Sequence, residues 1–486
     1  MRLALSLLTA ALLQAPAAEA ELIVRWKPQA TKRSLIAESM VRVRSVGRAT
    51  WLYRMSSSPA AGEVERLLER LRSRPDVEYA EPNHVRRPFA TPSDKWYPYQ
   101  WNLKAINLER GWELSTGSSS LVVAVVDTGI LPNHPDLQGR LLPGYDFILD
   151  KANSADGDSW DADPTDTDDK SSSRFHGTLV AGILGAASNN KLGITGVTWG
   201  CRILPVRALG VTGGKDSDIV AAIRWAAGLP VNGAPPNPTP AKVINLSFGD
   251  PAYGQTLADA IQDVQQRGVI VVAAAGNYNN SEVNYPAGYD NVISVGATRR
   301  DGSRAGYSNH GPSIDVMAPG GDIGQFLADM PPCSDNHPCP AGVVSTFYDS
   351  SSSQYSYRFY DGTSLAAPAV TGVVALMVSI NPNLDARETL RVLRGTANPA
   401  SQCTEGCGAG LIDAAYALNV VAGLATVDDA RWTQSHMQGG PVYGGGCRLA
   451  PAETEADLAP VLALLALACL VRRRKRRAEP RVPLRS

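Results

Sequence analysis

Four apolar, β-branched runs dominate the middle of the chain: LVVAVVDTG (121–129), RILPVRAL (202–209), AKVINLSFG (241–249) and GVIVVAAAGN (268–277). A strand with water on one face alternates polar and apolar residues; these do not, so they need cover on both faces. The intervening stretches supply it. DSDIVAAIRWAAG and GQTLADAIQDVQQRG carry apolar residues at helical spacing. Continuous apolar strands separated by helices define the α/β class, with a central, mostly parallel sheet and helices on both faces. In such sheets functional groups collect at the carboxyl ends of the strands. Asp127 and Asn277 stand at two of these ends.

The alternating pattern runs from about 95 to 423, and 486 residues leave room for more. The first twenty read as a secretory signal: Arg2, the apolar run LALSLLTAALL, and the small-x-small pattern Ala18-Glu19-Ala20. Residues 21–90 read as a small α+β unit. ELIVRW and RATWLYRM are strands, AGEVERLLERLRS is a helix with Val64, Leu67, Leu68 and Leu71 on one face, and DVEYAEPNH is a last strand. Residues 424–457 are a polar, Gly-rich linker. An apolar segment, LAPVLALLALACLV, then meets RRRKRR within 458–486. Its fourteen residues fall short of the roughly 20 that a bilayer span needs. The formal net charge is -1, so nothing points to nucleic acid.

Export permits disulfides, and there are seven Cys. Cys333 with Cys339 and Cys403 with Cys407 could each close a local bridge. Cys201 reads as a buried thiol, and Cys447 and Cys469 belong to the tail. No Cys/His spacing suits zinc.

Acyl transfer needs a nucleophile, a base, a group that orients the base, and oxyanion donors. Ser364 stands in DGTSLAAPAV, where a long apolar helix begins. A serine there can be a helix cap or, with a His to take its proton, a nucleophile. Of six His, His176 stands in FHGTLVAGILGA at the mouth of a helix. Asp127 closes an apolar strand, where an acid is costly to bury without partners. Asn277 offers a neutral amide suited to an oxyanion. Asp127, His176, Ser364 is one of the chain orders in which Ser–His–Asp sites occur. An α/β-hydrolase is disfavoured, because its order differs and no GxSxG surrounds Ser364.

Five segments, AVVDTGI, HGTLVAGI, NLSFG, AAAGN and DGTSLAAP, resemble the signatures of the subtilisin-like serine peptidases. The resemblance spans about 97–420. It implies Asp127 as orienting acid, His176 as general base, Ser364 as nucleophile, and Asn277 with the Ser364 N–H as oxyanion donors. It departs at Leu179, usually His, and Leu365, usually Met; both positions imply packing. It further implies a cleft lined by Ser247, Phe248 and Gly249 and by Ala274, Ala275 and Gly276, along which a polypeptide substrate adds as a strand. The floor of the first pocket falls within YNNSEVNYPAG, where Glu282 is either a selector of basic side chains or a solvated loop residue.

A structural Ca²⁺ is implied at Asp136 and Asn190. The acidic loop 156–169, with seven Asp, is a second candidate or a solvated insertion. The 21–90 unit is similar to the family's inhibitory propeptide, which implies a self-processed zymogen cut near 88–95. The tail resembles myxobacterial sorting signals and implies a surface or outer-membrane anchor at Cys447. A monomer is expected. The rival reading is an inactive surface binding protein on a peptidase scaffold.

Overall fold

A computed structural model describes residues 21–27, 40–56, 63–83, 91–167, 173–324, 341–399, 403 and 406–427. The signal, Cys333, Cys339, the 84–90 junction and everything after 427 lie outside the described residues.

Near the N-terminus, β1 (Glu21–Trp26), β2 (Met40–Gly47), β3 (Thr50–Met55), α1 (Glu63–Arg72) and β4 (Val77–Pro82) form one unit. Its antiparallel sheet has the order β2-β3-β1-β4. Alternation in β1 turns Leu22, Val24 and Trp26 inward, where they meet Leu67, Leu68 and Leu71 of α1. Val64 packs at the margin.

The larger unit opens with two short helices, α2 (Trp101–Ala105) and α3 (Leu108–Gly111). There follow β5 (Val122–Asp127), β6 (Tyr145–Asp146), α4 (Lys151–Ser154), α5 (His176–Gly185), β7 (Arg202–Arg207), α6 (Asp216–Ala226), β8 (Val243–Leu246), α7 (Gln255–Gln266), β9 (Ile270–Ala274), β10 (Ile293–Thr298) and β11 (Val316–Pro319). The seven strands form one sheet in the order β11-β10-β9-β8-β5-β7-β6, with every neighbouring pair parallel.

Both faces are covered, as the continuous apolar runs require. In β5, Val123 and Val125 face a core shared with α5, while Ala124 and Val126 face one built with α6 and α7. Each fully buried Val contributes about 1.5–3 kcal/mol. The chain leaves β5 toward β6 and β7 on one side and returns to β8 on the other. This reversal opens a crevice at the carboxyl ends of β5 and β8, where open α/β sheets bind ligands.

An antiparallel hairpin, β12 (Val343–Asp349) and β13 (Gln354–Tyr360), leads directly into α8 (Thr363–Ile380). The helix is long and apolar enough to cross a membrane, but it is the buried core helix behind the sheet. Leu179 and Leu365 both pack in that core. Finally α9 (Ala386–Thr396) and α10 (Ala414–Val421) close the unit, with Asp385 and Asp413 as side-chain N-caps. Cys403 is bonded to Cys407, and Cys201 is a buried free thiol.

Candidate active site

Asp127 ends β5 with no exposed surface. Its Oδ1 accepts from the Thr128 N–H at 2.7 Å and from His176 Nδ1 at 2.8 Å. Its Oδ2 is buried with no donor among the described residues. An ionised carboxylate only accepts, so Nδ1 carries the proton and Nε2 keeps a free lone pair.

His176 is the first residue of α5. Phe175 before it is left-handed (φ 61°), and its ring lies edge-on against Phe347 and Tyr348. Aromatic packing, not a side-chain cap, thus sets where this helix begins. Gly177 permits the approach to β5: a Cβ there would stand 2.2 Å from the Gly129 carbonyl oxygen and 3.1 Å from Asp127 Cβ. The imidazole is 22% exposed. Burial disfavours its charge, but the charge and hydrogen bond of Asp127 outweigh this and raise its pKa.

Ser364 is the second residue of α8. Gly362 before it has φ 153° and ψ 153°, a conformation side chains rarely adopt. Asn277 Oδ1 accepts from the Thr363 N–H at 2.9 Å and from its hydroxyl at 2.8 Å. The Asn277 amide nitrogen is thereby turned toward Gly362. A Cβ on that glycine would lie 3.6 Å from Asn277 Nδ2 and 3.7 Å from the Ser364 nitrogen. Two neutral donors thus flank one point beside the Ser364 hydroxyl, at a helix N-terminus that favours negative charge.

The hydroxyl itself differs from the expected convergence. Ser364 Oγ donates to the Ser247 carbonyl at 3.1 Å, and among the described residues no hydrogen bond joins it to His176. Such bonds are often loose in substrate-free sites.

Ser247, Phe248 and Gly249 follow β8 directly, and Ala274, Ala275 and Gly276 close β9 and continue it. Between the two segments lies Asn284, a residue not singled out within YNNSEVNYPAG. Its Nδ2 donates to the Ala275 carbonyl at 2.9 Å, and a Cβ on Gly249 would be 3.6 Å from its own Cβ. Its buried neighbours, not its spacing, mark it. Glu282 is an exposed loop residue that accepts weakly from Asn280.

Asp136 and Asp94 are both buried and close in space. Burial raises both carboxyls, and the charge of Asp136 adds to the rise at Asp94. Among the described residues neither carboxylate pairs with a cationic side chain; their oxygens accept from the N–H groups of Asn189, Asn190 and Ile194 and keep lone pairs available to a cation. Asn190 fits less well: its Nδ2, a donor, faces Asp136 Oδ1 at 2.8 Å, so ligation by its oxygen needs the amide to turn over. Among the described residues no three His, Cys, Asp or Glu side chains form a metal-binding group. In the acidic loop, Asp156 joins Asp146 on the guanidinium of Arg207, which is 1% exposed. An internal cation therefore holds that end of the loop. Arg207 Nε also donates to the Thr128 carbonyl at 3.1 Å, next to Asp127.

The family profile described as the subtilase family matches residues 118–410, which span Asp127, His176, Asn277 and Ser364. The chain belongs to the subtilase family. This subtilase is a serine-type endopeptidase, a hydrolase. The extracellular protease of Xanthomonas campestris pv. campestris is 36% identical over 437 residues, 86% of this chain and 71% of that protein. The extracellular basic protease of Dichelobacter nodosus is 35% identical over 413 residues, 78% of this chain and 64% of that protein. A solved protease structure from Pseudoalteromonas arctica is 38% identical with a TM-score of 0.62, covering 68% of this chain and 100% of the other.

Proposed function

We propose that this subtilase cleaves exported or extracellular polypeptides through an acyl-enzyme on Ser364. The observation that carries the reading is the 2.8 Å bond from His176 Nδ1 to buried Asp127. It leaves Nε2 as the base. Ser364 Oγ turns from the Ser247 carbonyl toward Nε2, loses its proton there and bonds to the substrate carbonyl carbon. The oxyanion is held by Asn277 Nδ2 and the Ser364 N–H. His176 then passes the proton to the leaving amine as the C–N bond breaks, and water repeats the sequence to free the acid. The substrate adds as a strand between the segments at 247–249 and 274–276, with Asn284 beneath.

The orientation of the Ser364 hydroxyl is the one feature that favours the rival, an inactive binding protein. A fluorophosphonate probe separates the two. Labelling of the activated enzyme but not of Ser364→Ala is expected; unlabelled wild type would support the rival.

The family names of its relatives, both extracellular proteases, support export. The 21–90 unit acts as intramolecular inhibitor in a self-processed zymogen, the peptidase domain spanning 95–423. The tail after 423 anchors the enzyme at the surface, and truncation at 423 is expected to release it into the medium. One Ca²⁺ at Asp94, Asp136 and a turned Asn190 stabilises the N-terminal side of the peptidase domain. A melting temperature unmoved by chelator would remove that site from the proposal.

A further inference from the structure

The carbonyl of Ser364 lacks a partner that its own helix should provide. In α8 the oxygen of residue 364 would accept from the N–H of residue 368. Residue 368 is a proline, buried within the helix, and it has no N–H. A buried acceptor left alone is costly.

Ser247 supplies the missing donor. Its Oγ lies 2.9 Å from the Ser364 oxygen. A hydroxyl has one proton, and its direction is set by what donates to its oxygen. Asn245 Nδ2 does so at 2.9 Å. Asn245 is oriented in turn by Thr371 Oγ1, 2.8 Å from Asn245 Oδ1. The same hydroxyl lies 2.9 Å from the Ala367 carbonyl, so its proton is shared between the two. Asn245 and Thr371 are 0% exposed and Ser247 is 3% exposed. The donors run one way, from Thr371 through Asn245 and Ser247 to the Ser364 carbonyl, and each bond polarises the next. β8 is thereby tied to α8 on both sides of Pro368. None of this is needed for the sheet, whose own ladder stops at Leu246.

We propose that the Ser247 side chain, oriented by Asn245 and Thr371, is a positioning residue for Ser364. It replaces the helical hydrogen bond that Pro368 removes, and it fixes the backbone that carries both the hydroxyl and an oxyanion donor. This rests on Ser364 being the nucleophile.

A double-mutant cycle in the full chain tests it. Ser247→Ala removes the hydroxyl and keeps the backbone. Its kcat is expected to fall at least about 10-fold with KM within about 3-fold. Pro368→Ala returns an N–H four residues along the helix. Alone it should change kcat by less than about 2-fold, and in the Ser247→Ala background it should recover most of the loss, a strong non-additivity between coupled sites. A role in stability alone would move the melting temperature without this split between kcat and KM. Unchanged kcat in Ser247→Ala, or no recovery in the double variant, overturns the proposal. If Ser247→Ala does not fold, Thr371→Val and Thr371→Ser probe the relay two bonds out. Loss in the Val variant with retention in the Ser variant supports it, and equal rates in both overturn it. Wild type that fails to react with a fluorophosphonate would instead end the reading of Ser364 as nucleophile, a separate failure.

Discussion

His176 can take the Ser364 proton only while its ring is neutral. Asp127 raises the imidazole pKa above the ordinary value near 6.5, so the ring charges at a higher pH than a free one. On the acid side, kcat/KM should therefore fall with an apparent pKa above about 6.5. Asp127→Asn should lower that pKa and cut kcat by about 10⁴, as loss of the orienting carboxylate does elsewhere. A pH–rate profile of both enzymes checks this, and an acid limb unmoved by Asp127→Asn would contradict it. The residues of this pair were legible because each interrupts a strongly patterned stretch: an acid closing an apolar strand, a His opening a small-residue helix. Asn277 was expected beside Ser364, but the turn of the Ser364 hydroxyl onto the Ser247 carbonyl, 117 residues away in the chain, was not legible. Asn284 was hidden for the same reason, since only the approach of two strand ends makes its position special.

Elements bring these side chains together, and one close contact governs the most sensitive joint. The first turn of α5 rests on the turn after β5 through Gly177. Ala at 177 would place a methyl 2.2 Å from the Gly129 oxygen, a backbone atom that cannot swing aside. α5 would have to lift, and the 2.8 Å bond between His176 and Asp127 would lengthen with it. Overpacking of this kind costs about 1–3 kcal/mol. Gly177→Ala should therefore lower the melting temperature and reduce kcat more than it changes KM. Retained kcat in a correctly folded variant would mean that α5 has slack. The strands carrying the site were readable because they are buried on both faces and apolar throughout. The edges were harder. β2 reads MVRVRSVG, buries only Met40 and lies at the rim of its sheet, so no continuous apolar run betrays it. In the Tyr-rich β12–β13 hairpin β12 is mostly buried and only β13 is half-exposed, and β12 straps α5: Thr346 Oγ1 donates to the Thr178 carbonyl at 2.6 Å.

At the scale of the whole chain the small N-terminal unit is the part whose purpose is least served by its own stability. It places one helix on one face of a four-stranded sheet and leaves Val41, Val43 and Val46 of the edge strand 58%, 43% and 40% exposed. A unit of about 60 residues buries only about 60% of the surface its unfolded chain exposes, less than a larger domain does, and is marginal alone. Apolar side chains at a sheet edge suit a surface meant to be covered. In the proposed zymogen the peptidase domain is the partner, present in equal amount on the same chain. If Ser364 makes the cut, processing depends on the same hydroxyl as catalysis. Intact mass should then show wild type shortened to a product beginning between about 84 and 95, and Ser364→Ala retained with residue 21 at or near its start. A processed Ser364→Ala chain would assign the cut to another protease, and a fully active wild type that still carries residues 21–83 covalently would rule out inhibition by an uncut N-terminal unit.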